Sequence, residues 1–264
     1  GYDGATSTSA AEVNSVDTSK IIIKPNVYSW RNITLGNMFK NSYDYQRNLD
    51  SHMMKNSEWG AVAYLHHSIY GSETSVRVNN NEAQITGYAS TTEPTTGPTN
   101  SSTSTNRYES TSLGKDGTYT VNYLNNNSGV ASTTGNKSGI YDMSGGSWEY
   151  VMGHTTSTST TSDSSGITSL YSNFFSDSTY TKYWDNYTST TETQFNNRIL
   201  GDATGEMGPF GSEKDPEGST RYKSSWYKDY AYFVDSSNNW FYRGGKWYDG
   251  NGSGMFAFYI YNGS

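Results

Sequence analysis

The sequence predicts an α+β domain with few helices, aromatic-rich antiparallel strands and long Ser/Thr/Gly loops. Three observations predict it. Helix-compatible stretches come early and strand-like aromatic stretches come late, the order of α+β rather than of alternating α/β units. Only 32% of the 264 residues are hydrophobic, but 24 Tyr, 9 Phe and 7 Trp are among them. Aromatic side chains each bury a large area, so this composition can still build a core. No segment recurs at the period of a solenoid or propeller. A single domain over residues 20–264 is expected, after a small, polar, flexible arm at residues 1–19 that reads as a trimmed or mature end.

KIIIK at residues 20–24, closed by Pro25, reads as a short strand. SWRNITLGNMF, residues 29–39, suits either a short helix or a turn that buries Trp30, Ile33 and Met38. Residues 56–68 make the best helix. Asn56 or Ser57 can cap it, Glu58 lies in the first turn, and Trp59, Val62, Ala63 and His66 share one face. VRVNNNEAQITGY, residues 76–88, reads as a hairpin turning at Asn80-Asn81. Residues 89–130 form a Ser/Thr/Asn/Gly excursion, interrupted by the alternation of Tyr119, Val121 and Tyr123, a strand signal. A second Ser/Thr/Gly tract covers residues 155–168. Residues 170–186 are crowded with aromatics, 190–200 suit a short helix, and 201–211 form a Gly/Pro loop. Residues 226–261 alternate aromatic strands with Gly/Asn turns.

The densest stretch is GIYDMSGGSWEYVMG, residues 139–153. Tyr141, Met143, Trp148 and Tyr150 can fill a core. Asp142 and Glu149 flank a bend at Gly145-Gly146, where glycine lets the backbone turn or approach closely. Two readings stand side by side. The carboxylates either pin a core turn through its amides or help to wrap a hard cation with oxygen ligands.

GIYDMSGGSWEY resembles the G-L-Y-D-M-x-G-N-x-W-E-W signature of the formylglycine-generating (sulfatase-modifying factor) family. Two further segments follow in family order. KNSEWGAVA, residues 55–63, resembles that family's T-x-x-E-W-E-x-A-A helix, and YRGGKWY, residues 242–248, its R-G-G-S-W element. The resemblance spans roughly residues 50–258. It implies a C-type lectin-like fold and a structural Ca²⁺ held by Asp142 and Glu149 carboxylates with Gly145 and Ser147 carbonyls. Gly146 departs from the family pattern, which has Asn there. The C-terminal stretch is also similar to the variable region of C-type-lectin proteins diversified by retroelements, and the chain is similar to surface proteins of gut Firmicutes. That likeness makes Arg243-Gly244-Gly245 scaffold and assigns ligand contacts to Lys246, Trp247, Tyr248, Asp249, Asn251, Ser253, Phe258, Tyr259 and Tyr261. Such domains usually continue into a further closing strand, so the resemblance implies either that the sequence is a piece of a longer chain or that a neighbouring subunit's strand completes the sheet at an open edge.

Composition narrows the function. Eighteen basic against 25 acidic residues leave a net charge of −7 without a basic stripe, which argues against nucleic acid. There is no cysteine, so neither disulfides nor the family's cysteine-based copper chemistry is available. The four histidines do not form a metal-ligand pattern, and no G-x-S-x-G nucleophile elbow occurs. No apolar run is long enough to span a membrane. Low charge with abundant Ser, Thr, Asn, Gly and Tyr points outside the cell. The expectation is a non-enzymatic extracellular binding or adhesion module for a protein or glycan on another surface. The alternatives are a self-assembling subunit of a pilus-like filament and, third, an unusual enzyme.

Overall fold

The computed structural model describes residues 1–5, 12–23, 27–66, 68–71, 87–89, 132, 134, 139–155, 166–187, 240–247, 249 and 253–260, and backbone strands at 78–79, 104–107, 118–121, 210–214, 222–224 and 230–231. Its helices are α1 (Leu35–Tyr45), α2 (Asn56–His66), α3 (Ile167–Leu170) and α4 (Ser178–Thr181). Three strands, β1 (Val78–Asn79), β2 (Ser104–Arg107) and β3 (Thr118–Val121), form one antiparallel sheet. The remaining strands are β4 (Glu149–Thr155), β5 (Asp185–Tyr187), β6 (Phe210–Lys214), β7 (Tyr222–Ser224), β8 (Tyr230–Ala231), β9 (Trp240–Gly244) and β10 (Gly254–Ile260). They make a second sheet in the order β5-β4-β9-β10-β8-β7-β6. The α+β class follows. The sheet is mixed rather than antiparallel throughout: β5 runs parallel to β4, and β8 parallel to β10.

Helix α2 forms where its capping chemistry and periodicity meet. Glu58 Oε2 accepts from the Lys55 amide at 2.8 Å, and Asp185 Oδ2, on β5, accepts from the Ser57 amide at 2.7 Å. Lys55 Nζ reaches Asp185 Oδ1 at 3.0 Å. Trp59, Ala63 and His66 are buried on one face, as the i, i+4, i+7 spacing predicts, and α2 packs on β4 and β10. Helix α1 buries Leu35 and Phe39 against Met53, Met152, Ile167, Phe174, Tyr183 and Trp240. Phe39 meets Phe174 edge-on, with centroids 5.0 Å apart, the geometry aromatic quadrupoles favour.

Two expectations are corrected. The segment taken for a flexible arm is tied down where it is described: the Asp3 amide donates to Lys20 O, and Trp30 Nε1 to Val13 O at 2.8 Å. Asn14 Oδ1 and Asn41 Oδ1 accept from the amides of Thr34 and Asp17. The KIIIK run is not a strand over its described part. It enters from a 3-10 turn at Thr18–Lys20, makes one bridge from Ile21 to Tyr2, and leaves Ile23 94% exposed. Strand β1 pairs with β2; the turn and second half of the expected hairpin, residues 80–86, lie outside the described residues. Strand β10 lies between β9 and β8, and the edge strands of this sheet are β5 and β6. The expected helix at 190–200 lies outside the described residues.

Candidate functional site

The three segments that carry the family resemblance meet at one junction. Trp59, buried on α2, donates from Nε1 to Met255 O at 2.7 Å. Its ring lies against Gly244, where a Cβ would stand 3.4 Å from the indole. Arg243 is fully buried beside it, with its guanidinium 5.8 Å from the Trp59 ring and 5.3 Å from the Phe258 ring. The loop before β4 crosses the same point. The Gly145 amide donates to Gly244 O at 3.0 Å, and the Trp247 amide donates to Gly146 O at 2.7 Å.

This loop is a left-handed turn, with φ of 65° at Asp142, 77° at Gly145 and 75° at Gly146. Aspartate tolerates that region because its short polar side chain can bond locally or nearby. Here Asp142 Oδ1 accepts from the Gly87 amide at 2.9 Å, and the Gly146 amide donates to Tyr88 O at 2.8 Å. Gly87 and Tyr88 were missed in the sequence. Their role depends on a partner more than fifty residues away, and no local pattern carries it.

The segment after Gly245 is a tight turn on this base. The Lys246 amide donates to Asp249 Oδ2 at 3.0 Å, and the Asp249 amide to Lys246 O at 3.0 Å. Ser253 Oγ, just before β10, donates to the same Lys246 carbonyl at 3.0 Å. Lys246, Trp247 and Asp249 are half-buried. Tyr259 is half-buried too and stacks on Trp148, centroids 5.5 Å apart at 28°. Two expected contact residues belong to the interior instead. Phe258 is wholly buried and packs on Phe241 at 4.8 Å; Ser253 is wholly buried under the turn. A register shift between Gly254 and Phe258 sets which β10 side chains turn inward. Tyr248, Asn251 and Tyr261 lie outside the described residues.

A half-buried aromatic row was also missed. Trp148, Tyr150, Tyr242 and Tyr259 run across β4, β9 and β10. Tyr242 Oη donates to Tyr150 Oη, and burial raises the phenol pKa of both. The i, i+2 spacing of Trp148 and Tyr150 was the available signal.

Of the expected cation ligands, Gly145 is buried, Asp142 and Ser147 are half-buried and Glu149 has an exposed side. Burial raises the pKa of Asp142, opposed by the Gly87 amide. Glu149 is raised by burial of its carboxyl and then by the Asp142 charge. Water reaches the side of Glu149 although protein crowds its carboxyl, so screening reduces the size of that shift without changing its direction. Two acidic groups thus share one turn. Among the described residues no cluster of three or more His, Asp or Glu forms, so any cation here would need backbone carbonyls. No described helix is long and apolar enough to cross a membrane. No family model matches the chain, and no curated protein matches it.

Proposed function

We propose that the chain is a non-enzymatic extracellular binding and adhesion module of C-type lectin-like fold, meeting a protein or glycan through the surface around residues 246–259. One observation carries this reading. A turn bearing Lys246, Trp247 and Asp249 at the surface is held from beneath by the buried Arg243, Gly244, Gly245 and Ser253. A rigid base under half-exposed aromatic and polar groups is how binders keep the entropic cost of contact low. The convergence of three family-like segments on that base supports the fold assignment. Trp247→Ala should weaken binding by about 1–2 kcal/mol, roughly 5- to 30-fold, at nearly unchanged melting temperature. Gly244→Val should do the reverse, because φ is +86° there and a β-branched residue is strained at positive φ. A glycan array and a panel of matrix proteins, read beside melting curves, test this. Equal loss of melting temperature in both variants would make Trp247 scaffold.

The same base is the proposed seat of a structural Ca²⁺. Asp142 and Glu149 would give carboxylates, and Gly145 and Ser147 carbonyls, to a hard cation. The pH dependence follows from the raised pKa values. Without cation the folded state holds these protons more tightly than the unfolded chain does. Their stabilisation is then full below the ordinary carboxylate range, about pH 4, and is lost as pH rises through the raised values. In EDTA the melting temperature should therefore fall from about pH 5 to about pH 8, and Glu149→Gln should flatten that fall. Added Ca²⁺ should recover stability mostly at the higher pH, where protons no longer compete. A melting curve that ignores both Ca²⁺ and Glu149→Gln would leave the turn as a hydrogen-bonded anchor only.

A further inference from the structure

Tyr150 and Tyr242 stand directly opposite each other where β4 and β9 pair antiparallel. Opposed residues of such a pair carry their side chains on one face of the sheet, close enough to touch. Here the ring centroids are 4.0 Å apart at 38°, and Tyr242 Oη donates to Tyr150 Oη. Other tyrosine pairs among the described residues are looser. Tyr171 and Tyr180 are 4.8 Å apart, and Tyr43 and Tyr183 are 5.4 Å apart. Their hydroxyls are not joined to each other: Tyr183 Oη donates to Asp50 Oδ1 at 2.5 Å, and Tyr171 Oη has no hydrogen-bond partner.

The close centroids and the bonded hydroxyls together align the long axes of the two rings. A carbon ortho to one hydroxyl therefore lies alongside its counterpart on the other ring. When a phenol loses an electron and a proton, the unpaired spin collects on the oxygen and on the ortho and para carbons. The para carbon of tyrosine already carries the side chain, so the ortho carbons are the ones free to couple. Two reactants held in this way have the high effective concentration of positioned groups. The chain has 24 Tyr and no Cys, so no disulfide can staple its strands.

We propose that Tyr150 and Tyr242 are the site of an oxidative cross-link, a dityrosine that joins β4 to β9 when a one-electron oxidant of the peroxidase class acts with hydrogen peroxide. Each phenol gives up one electron and its hydroxyl proton. The two radicals combine through their ortho carbons and form one C–C bond. The hydrogen on each of those carbons then leaves as a proton and each oxygen regains one, so both rings return to phenols. The net loss is two electrons and two protons, which reduce one hydrogen peroxide to two waters. Both rings are half-buried, which leaves part of each open to the oxidant and limits coupling to tyrosines of other molecules. The bond joins positions 92 residues apart in the chain, and a cross-link over so long a span stabilises chiefly by restricting the unfolded state. Tyr242 immediately precedes the buried Arg243, so the link fastens the base of the candidate binding surface. It does not depend on what that surface binds.

The test treats dilute parent protein with a haem peroxidase and hydrogen peroxide. The product should be a monomer lighter by two hydrogens, with dityrosine fluorescence. Tandem mass spectrometry of its tryptic peptides should join Tyr150 to Tyr242, and its melting temperature should exceed that of the untreated protein. Tyr150→Phe and Tyr242→Phe keep both rings but lack one hydroxyl, and each should lose this linked peptide. Tyr180→Phe should retain it. A linked monomer whose joined residues are other tyrosines, a product made only of linked dimers, or no linkage under conditions that couple free N-acetyltyrosine would each overturn the site. An unchanged melting temperature in the linked monomer would overturn its role as a staple. The peptide mapping uses the unmodified chain and stands even where a variant fails to fold.

Discussion

Trp59→Ala should destabilise the domain by about 3–5 kcal/mol, the usual range for removing a large buried aromatic, and leave little folded protein at physiological temperature. The indole is 1% exposed and is the largest side chain so deeply buried among the described residues. Three losses coincide. A cavity opens between α2 and the sheet, Met255 O loses its donor at 2.7 Å, and the buried Arg243 guanidinium loses one of its two aromatic neighbours. Met255 O is then left with only the long contact from Arg243 Nη2 at 3.5 Å, and losing the shorter buried hydrogen bond adds about 1 kcal/mol. Urea unfolding measures the effect, and Trp59→Phe should fall between parent and Ala because it restores volume without the N–H. Trp148, which from its motif alone should be equally essential, is half-buried and rests on Tyr259 at the sheet face. Trp148→Ala should therefore cost clearly less than Trp59→Ala. Equal losses would mean the aromatic row is core and the junction at Trp59 is not the keystone.

The elements that could be read from sequence are those whose cause is local. The first-turn Glu58 and the buried face of Trp59, Ala63 and His66 are set within three turns of chain, and α2 formed over 56–66 of the expected 56–68, with Glu58 rather than Asn56 or Ser57 bonding the Lys55 amide at its start. The alternation at Tyr119 and Val121 yielded β3, and the late aromatic runs yielded β9 and β10. Helix α1 was ambiguous because its decisive cap, Thr34 Oγ1 accepting from the Asn37 amide at 3.4 Å, is weak and, Met53 apart, its buried packing partners lie more than a hundred residues away. KIIIK failed because an apolar run alone does not supply a strand neighbour. Phe258 and Tyr259 could not be assigned to sides in advance. Alternation says only that they face opposite ways, and the irregular register after Gly254 decides which faces inward. At the site, Asp142 was legible as an anchor, but its partner at Gly87 was not.

Gly145→Ala should be far more damaging than Gly146→Ala, although the two glycines are neighbours with nearly equal φ. Both substitutions place a Cβ in the left-handed region, at +77° and +75°, which costs roughly 1–2 kcal/mol. Only one meets an obstacle as well. A Cβ at 145 would stand 2.5 Å from Gly87 O and 2.9 Å from Gly87 C and Tyr88 O, all backbone atoms that no rotamer change can move. At 146 the nearest atom is Asp142 Oδ1 at 3.8 Å, an ordinary contact. Forcing the 87–88 backbone away would also pull the Gly87 amide off Asp142 and the Tyr88 carbonyl off the Gly146 amide. Overpacking of this kind adds about 1–3 kcal/mol, so Gly145→Ala should total about 2–5 kcal/mol against about 1–2 for Gly146→Ala. The difference between the two variants cancels the shared φ cost and isolates the contact with residues 87–88. Paired urea titrations measure it. If both variants unfold at the same midpoint, the turn does not seat on residues 87–88, and the base beneath the 246–249 surface must rest on β9 and α2 alone.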